Sequence, residues 1–109
     1  MSPRSTCDRL RDILDAVDKA TAFGQRDRDS MATAAALYEL IVIGEAVNAL
    51  PEDAIAEDPA VPRSAIVGMR NLAAHEYHRV NAAFVWGTVD GDLPPLRKAV
   101  TAELTSRGC

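Results

Sequence analysis

The chain has 109 residues and 48% hydrophobic composition, which suits one compact domain spanning 1–109 around a single core and leaves no room for a second. A formal net charge of -4 gives no general footprint for nucleic acid, so any phosphate-binding site has to be local. The two cysteines, Cys7 and Cys109, lie at opposite ends and far from any histidine-rich run, which fits neither a disulfide framework nor a metal site and favours a reducing cytoplasm.

The first clear segment is "DRLRDILDAVDKATAF", with Leu10, Ile13, Leu14, Val17 and Ala20 at helical intervals. It reads as an amphipathic helix ending near Gly24. The polar "GQRDRDS" that follows is expected to be a solvated loop, with Asp29 or Ser30 capping the next helix. That helix runs through "MATAAALYELIVIGEAVNAL" and closes at Pro51. From Leu37 to Val47 its apolar residues spread around most of the circumference, so it needs cover on two sides, one of them offering a homodimer surface. Its longest apolar run, "LIVIGEAV", is short of the ~20 residues of a membrane span and carries Glu45; with no early basic-then-apolar signal either, the chain is expected to be soluble and unexported.

"EDAIAEDPAVP" reads as a short helical turn bounded by Pro59 and Pro62. The third helix starts there, with Ile66, Met69 and Ala73 as its apolar stripe and Arg70 at the stripe's edge. It is expected to end between Ala74 and Arg79. Val80 and Val85 bracket Asn81 as a hydrophobic staple around an N-cap, starting a fourth helix at "AAFVWGTV". "DGDLPPLRKAVTAEL" supplies a turn and a last helix, with Asp92 as its cap and Pro94 and Pro95 in its first turn. The expected architecture is all-α, a four- to five-helix up-and-down bundle, which by itself says nothing of function.

"MRNLAAHEYHRV", residues 69–80, is where chemistry concentrates. On a straight helix Arg70 and His75 point about 140° apart, so they converge only if the helix stops before His75 or if a second chain brings its own pair alongside. Tyr77 returns to the side of Arg70. With Arg63, His78 and Arg79 the stretch forms a local phosphate-attracting patch on an acidic chain. The residues alone favour a structural account: Arg70 paired with Glu45 or Glu76, His75 hydrogen-bonded at a helix terminus, Tyr77 packed at a rim. "HEYH" lacks the i, i+4 histidines of the zinc-protease motif and a third ligand, so no metal is assigned. A glycine-rich phosphate loop and a cysteine–histidine nucleophile are also missing, and no cofactor is implied.

The spacing Arg, four residues, His, one residue, Tyr in "RNLAAHEY" resembles the signature of HepT-like toxins in the HEPN superfamily of small helical ribonucleases. "DILDAV", "IGEAV", "GMRNLAAHEYHRV", "VW" and "LPPL" follow that family in order and spacing over nearly the whole chain. One departure is Arg63 after Pro62, where members often carry an aromatic residue. The resemblance implies an endoribonuclease toxin, homodimeric across a cleft that faces two motifs together, and paired with a minimal nucleotidyltransferase antitoxin. Carried over residue by residue, Arg70 and His75 are the catalytic pair and Tyr77 the site where the partner attaches AMP. Arg63, Asn71 and Arg79 are candidate substrate-binding or supporting residues, Asn71 either orienting the phosphate or capping the helix. RNA supplies its own nucleophile in the 2′-OH, so a histidine to move protons and a guanidinium to stabilise charge suffice without a metal. Two other readings stay open: a non-catalytic helical partner of a nucleotidyltransferase, and a plain dimerisation module.

Overall fold

The computed structural model describes residues 4–55, 63–75 and 81–109. Five helices follow in chain order: α1 (Thr6–Gly24), α2 (Ser30–Ala49), α3 (Arg63–His75), α4 (Ala82–Gly91) and α5 (Leu93–Ser106), with no strand among the described residues. The fold is the expected all-helical bundle.

Helix α1 opens on a capping box: Ser5 Oγ accepts the Asp8 amide at 3.0 Å, and the Asp8 carboxylate accepts the Ser5 amide at 3.2 Å. Leu10, Ile13, Val17 and Ala20 are buried as their spacing requires, while Leu14 is only partly covered. Between α1 and α2 the segment expected to be solvated is anchored by Arg28. Its guanidinium lies 4.5 Å from the Trp86 ring centroid and bonds both oxygens of Asp90 at 2.7 and 2.8 Å. Trp86 in turn donates from Nε1 to Thr33 Oγ1. The loop is thereby tied to α4.

Asp29 rather than Ser30 caps α2, its Oδ1 accepting the Ala32 amide at 2.8 Å. Helix α2 is the centre of the bundle, packed against α1, α3 and α4. Its 20 residues reach the length and apolarity of a membrane span, more than its short run "LIVIGEAV" suggests. Ala36, Leu40, Ile43 and Val47 nevertheless lie in the core, and Glu39 is buried with them. The residues 52–55 form a turn; the rest of the expected helical turn lies outside the described residues.

Ile66, Met69 and Ala73 form the buried stripe of α3. Asn81 caps α4 by accepting the Phe84 amide at 2.9 Å; Val80, its expected staple partner, lies outside the described residues. Asp92 makes no side-chain cap on α5. Its own amide still closes α4 on the Thr88 carbonyl at 2.9 Å and its φ and ψ are helical, so it joins the two helices through its backbone instead.

The cysteines overturn the expectation that they form no disulfide. Gly108, at φ 71°, reverses the chain after α5. Its amide bonds Thr105 O and the Cys109 amide bonds Leu104 O, a Schellman closure that turns Cys109 back onto α1, where it forms a disulfide with Cys7. Arg11 Nη2 holds the Cys109 carbonyl at 2.9 Å. A framework of one bridge therefore links the ends of α1 and α5.

Candidate active site

The close approach of α2 to α3 is made at Gly44. A Cβ built there would overlap the Cβ of Arg70 and stand 3.3 Å from the carbonyl oxygen of Ile66. Only a residue without a side chain admits α3 at this distance, and Arg70 is what lies over the gap. The next residue then takes hold of it. Glu45 Oε1 accepts from Arg70 Nε at 2.8 Å and meets Nη2 at 2.6 Å. On the other flank, Asn71 Oδ1 accepts from Nη1 at 2.7 Å. The Arg70 side chain is 27% exposed and that of Glu45 57%, so the pair sits at a half-covered seam, where such contacts fix orientation more than they add stability.

His75 is exposed on the last described turn of α3. The helix includes it, so a break between Arg70 and His75 does not occur. Five residues of continuous helix separate the two by about 7.5 Å along the axis and about 140° around it, and one chain does not bring them onto a common face of α3. Asn71, inside the same helix, is not a cap; its amide oxygen serves Arg70. Arg63 faces elsewhere: Nη2 donates to the carbonyls of Val47 and Leu50, both at 3.1 Å, satisfying the C-terminal end of α2. Tyr77 and Arg79, like Glu76 and His78, lie outside the described residues.

Residues 5–103 match the family described as Ribonuclease HepT-like. This chain belongs to the HepT-like ribonuclease family. A protein of Caldanaerobacter subterraneus named "Putative RNase" is 37% identical over 82 residues, covering 75% of this chain and 73% of its own. Another of that name from Methanocaldococcus jannaschii is 31% identical over 107 residues, covering 92% and 97%. A Thermococcus cleftensis protein named "Probable ribonuclease HepT" is 30% identical over 100 residues, covering 86% and 91%. No solved structure matches.

Within this HepT-like chain, the carboxylate-held guanidinium of Arg70 presents planar donors of the geometry that suits phosphoryl oxygens, and the His75 imidazole is exposed. Glu45 was legible as one of two carboxylates able to pair with Arg70. Gly44 was missed, although a signal existed: a glycine in the interior of an apolar helix costs about 1 kcal/mol against alanine, so its presence asks for a packing reason.

Proposed function

We propose that this HepT-like chain is the toxin of a toxin–antitoxin pair, an endoribonuclease that cuts RNA without a metal ion and is silenced when a minimal nucleotidyltransferase partner transfers AMP to Tyr77. The observation that carries the catalytic part is Arg70, a guanidinium clamped by Glu45 and Asn71 at the seam of α2 and α3 in a chain of this family. In the reaction, the ribose 2′-OH attacks the adjacent phosphorus, its proton passes to a base, and the 5′-oxygen leaves with a proton from an acid. A histidine can serve as either group. Arg70 stabilises the charge gathering on the phosphoryl oxygens. The products are a 2′,3′-cyclic phosphate and a 5′-hydroxyl.

The divergence of Arg70 and His75 supports a site assembled from two copies of the chain. A surface fit for that contact runs along α2. Residues 31, 38 and 45 fall seven apart on one face, and on it Met31 is 81% and Tyr38 65% exposed. Leu37, Tyr38 and Ile41 line a groove that Ala82 and Val85 of α4 complete. Exposed apolar surface leading directly to Glu45 is what a second copy would cover.

Incubation of the purified chain with single-stranded RNA in excess chelator tests the chemistry. Cleavage persists, DNA is left intact for want of a 2′-OH, and Arg70→Ala or His75→Ala abolishes the activity. Loss of cleavage in chelator with recovery on a divalent ion would refute the metal-free mechanism. Sedimentation should report twice the chain mass; a clean monomer that still cuts RNA removes the composite site.

A further inference from the structure

We infer that Glu45 is a positioning residue that selects which edge of Arg70 meets the phosphate, and that its charge simultaneously opposes RNA binding. The inference rests on the ribonuclease reading above. Arginine carries a single hydrogen on Nε, and Glu45 Oε1 accepts it at 2.8 Å. The same oxygen also meets Nη2 at 2.6 Å and Asn71 Oδ1 takes one hydrogen of Nη1 at 2.7 Å, so what is left for a phosphate is one hydrogen on each terminal nitrogen. At its other end the Arg70 side chain is laid across Gly44, with no space for a Cβ between them. Pinned at both root and head, the side chain surrenders its rotamer freedom before substrate arrives, which is preorganisation in the sense that matters for a charged transition state.

The same contact has an electrostatic consequence. Glu45 places a carboxylate, 57% exposed, beside the guanidinium that the proposed reaction sets against the phosphate. An incoming polyanion therefore meets a pair and not a lone positive charge. Orientation and affinity are served in opposite directions by one residue, and that opposition is a signature a merely structural glutamate would not produce.

Glu45→Gln keeps an oxygen that can accept from Nε and deletes the charge; Glu45→Ala deletes both. Because Glu45 is half exposed, both chains are expected to fold, with thermal midpoints close to that of the parent. Steady-state cleavage of a defined single-stranded RNA oligonucleotide by the full chain should show KM lowered in Glu45→Gln, most clearly at low salt, with kcat reduced only a few-fold. In Glu45→Ala kcat should fall by about 10- to 100-fold without any rise in KM, the pattern of an interaction that matters in the transition state. In parallel, nitrogen-15 spectra of arginine-labelled protein should show one Nε–H protected from exchange, retained in Glu45→Gln and lost in Glu45→Ala.

A raised KM in Glu45→Gln, or an unchanged kcat in Glu45→Ala, overturns the inference while leaving the ribonuclease reading intact. An inert parent chain sinks the ribonuclease reading, and with it the positioning role given to Glu45. Absence of a protected Nε–H in the parent removes the seat itself, whatever the kinetics.

Discussion

Tyr77 and Arg70 stand seven residues apart in sequence, yet the proposed function gives them opposite duties, and substitution separates the two. A tyrosine, with an ordinary pKa near ~10, is a poor general base at neutral pH. Tyr77→Phe should therefore retain most of the ribonuclease activity that Arg70→Ala loses, and it should escape its antitoxin. Mass spectrometry of the chain co-expressed with the nucleotidyltransferase checks this, with AMP additions mapping to the Tyr77 peptide in the parent and missing from the variant. Full-level adducts in Tyr77→Phe, or an unmodified variant as inert as His75→Ala, would return Tyr77 to catalysis or packing. How far the site was legible also differs by residue. Arg70 at the edge of an apolar stripe was readable from spacing, and so was a carboxylate partner. The contact of Asn71 with Arg70 joins sequence neighbours through side-chain geometry that spacing does not encode. Arg63 looked like part of a basic patch because charge was counted along the sequence, whereas its guanidinium reaches back 13 and 16 residues to the carbonyls that end α2.

At the scale of elements, caps and breakers marked most boundaries well: Asp29 and Asn81 start α2 and α4, and Pro51 follows the end of α2. What α2 does with its circumference was less legible. Its apolar excess announced cover on two sides, but not that Glu39 would be drawn inside, 6% exposed and with Oε2 unpartnered among the described residues. Burial pushes the Glu39 carboxyl above its ordinary value of 4.5; Lys19, on α1, pulls it down and Asp15, on the same helix, adds to the rise. A folded value above the unfolded one means that this group's contribution is fully present below pH 4.5 and is lost as pH rises through the raised value. Asp8, lowered chiefly by its hydrogen bonds to Ser5, and Asp90, lowered chiefly by Arg28, act with the opposite sign: their contributions are present above the unfolded values and lost as pH falls. Comparison of the parent with Glu39→Gln isolates the first effect. The variant should be the more stable at neutral pH, by about 1–3 kcal/mol if its amide relieves an unmet buried charge, and the difference should shrink toward pH 4. Urea titrations at several pH values measure it; a stability difference that does not vary with pH would show that Glu39 titrates alike in the folded and unfolded chain, with no rise on burial.

For the whole molecule, helical periodicity was enough to read an all-α bundle, since each stripe demanded a neighbour and the short connections limited the arrangement. The clasp between its ends was invisible to the same reading. Cys7 and Cys109 are separated by 102 residues, and separation in sequence carries no information about separation in space; their Cα atoms are 5.9 Å apart once α5 packs on α1. Local signals did exist, in the Ser5–Asp8 capping box that fixes the first turn of α1 and in Gly108, which permits the left-handed residue that turns Cys109 inward. Both cysteines thus ride on backbone geometry that the helices impose, and neither belongs to the buried core. The reduced chain should accordingly stay folded but lose the restriction that a bridge of this span places on the unfolded state. In the chain-entropy view a loop of about 100 residues is worth up to about 4.7 kcal/mol, and for a domain of this size each kcal/mol moves the thermal midpoint by about 4–8 °C. Reduction, or Cys7→Ser, should lower the midpoint by more than about 10 °C, while helical circular dichroism at 25 °C and RNA cleavage well below the midpoint are retained. The two treatments should not add, because they remove the same constraint. A midpoint that stays put when mass spectrometry shows both thiols reduced would mean that the packing of α1 on α5, with the Arg97–Asp18 ion pair at 2.8 Å across it, already fixes the ends without the bond.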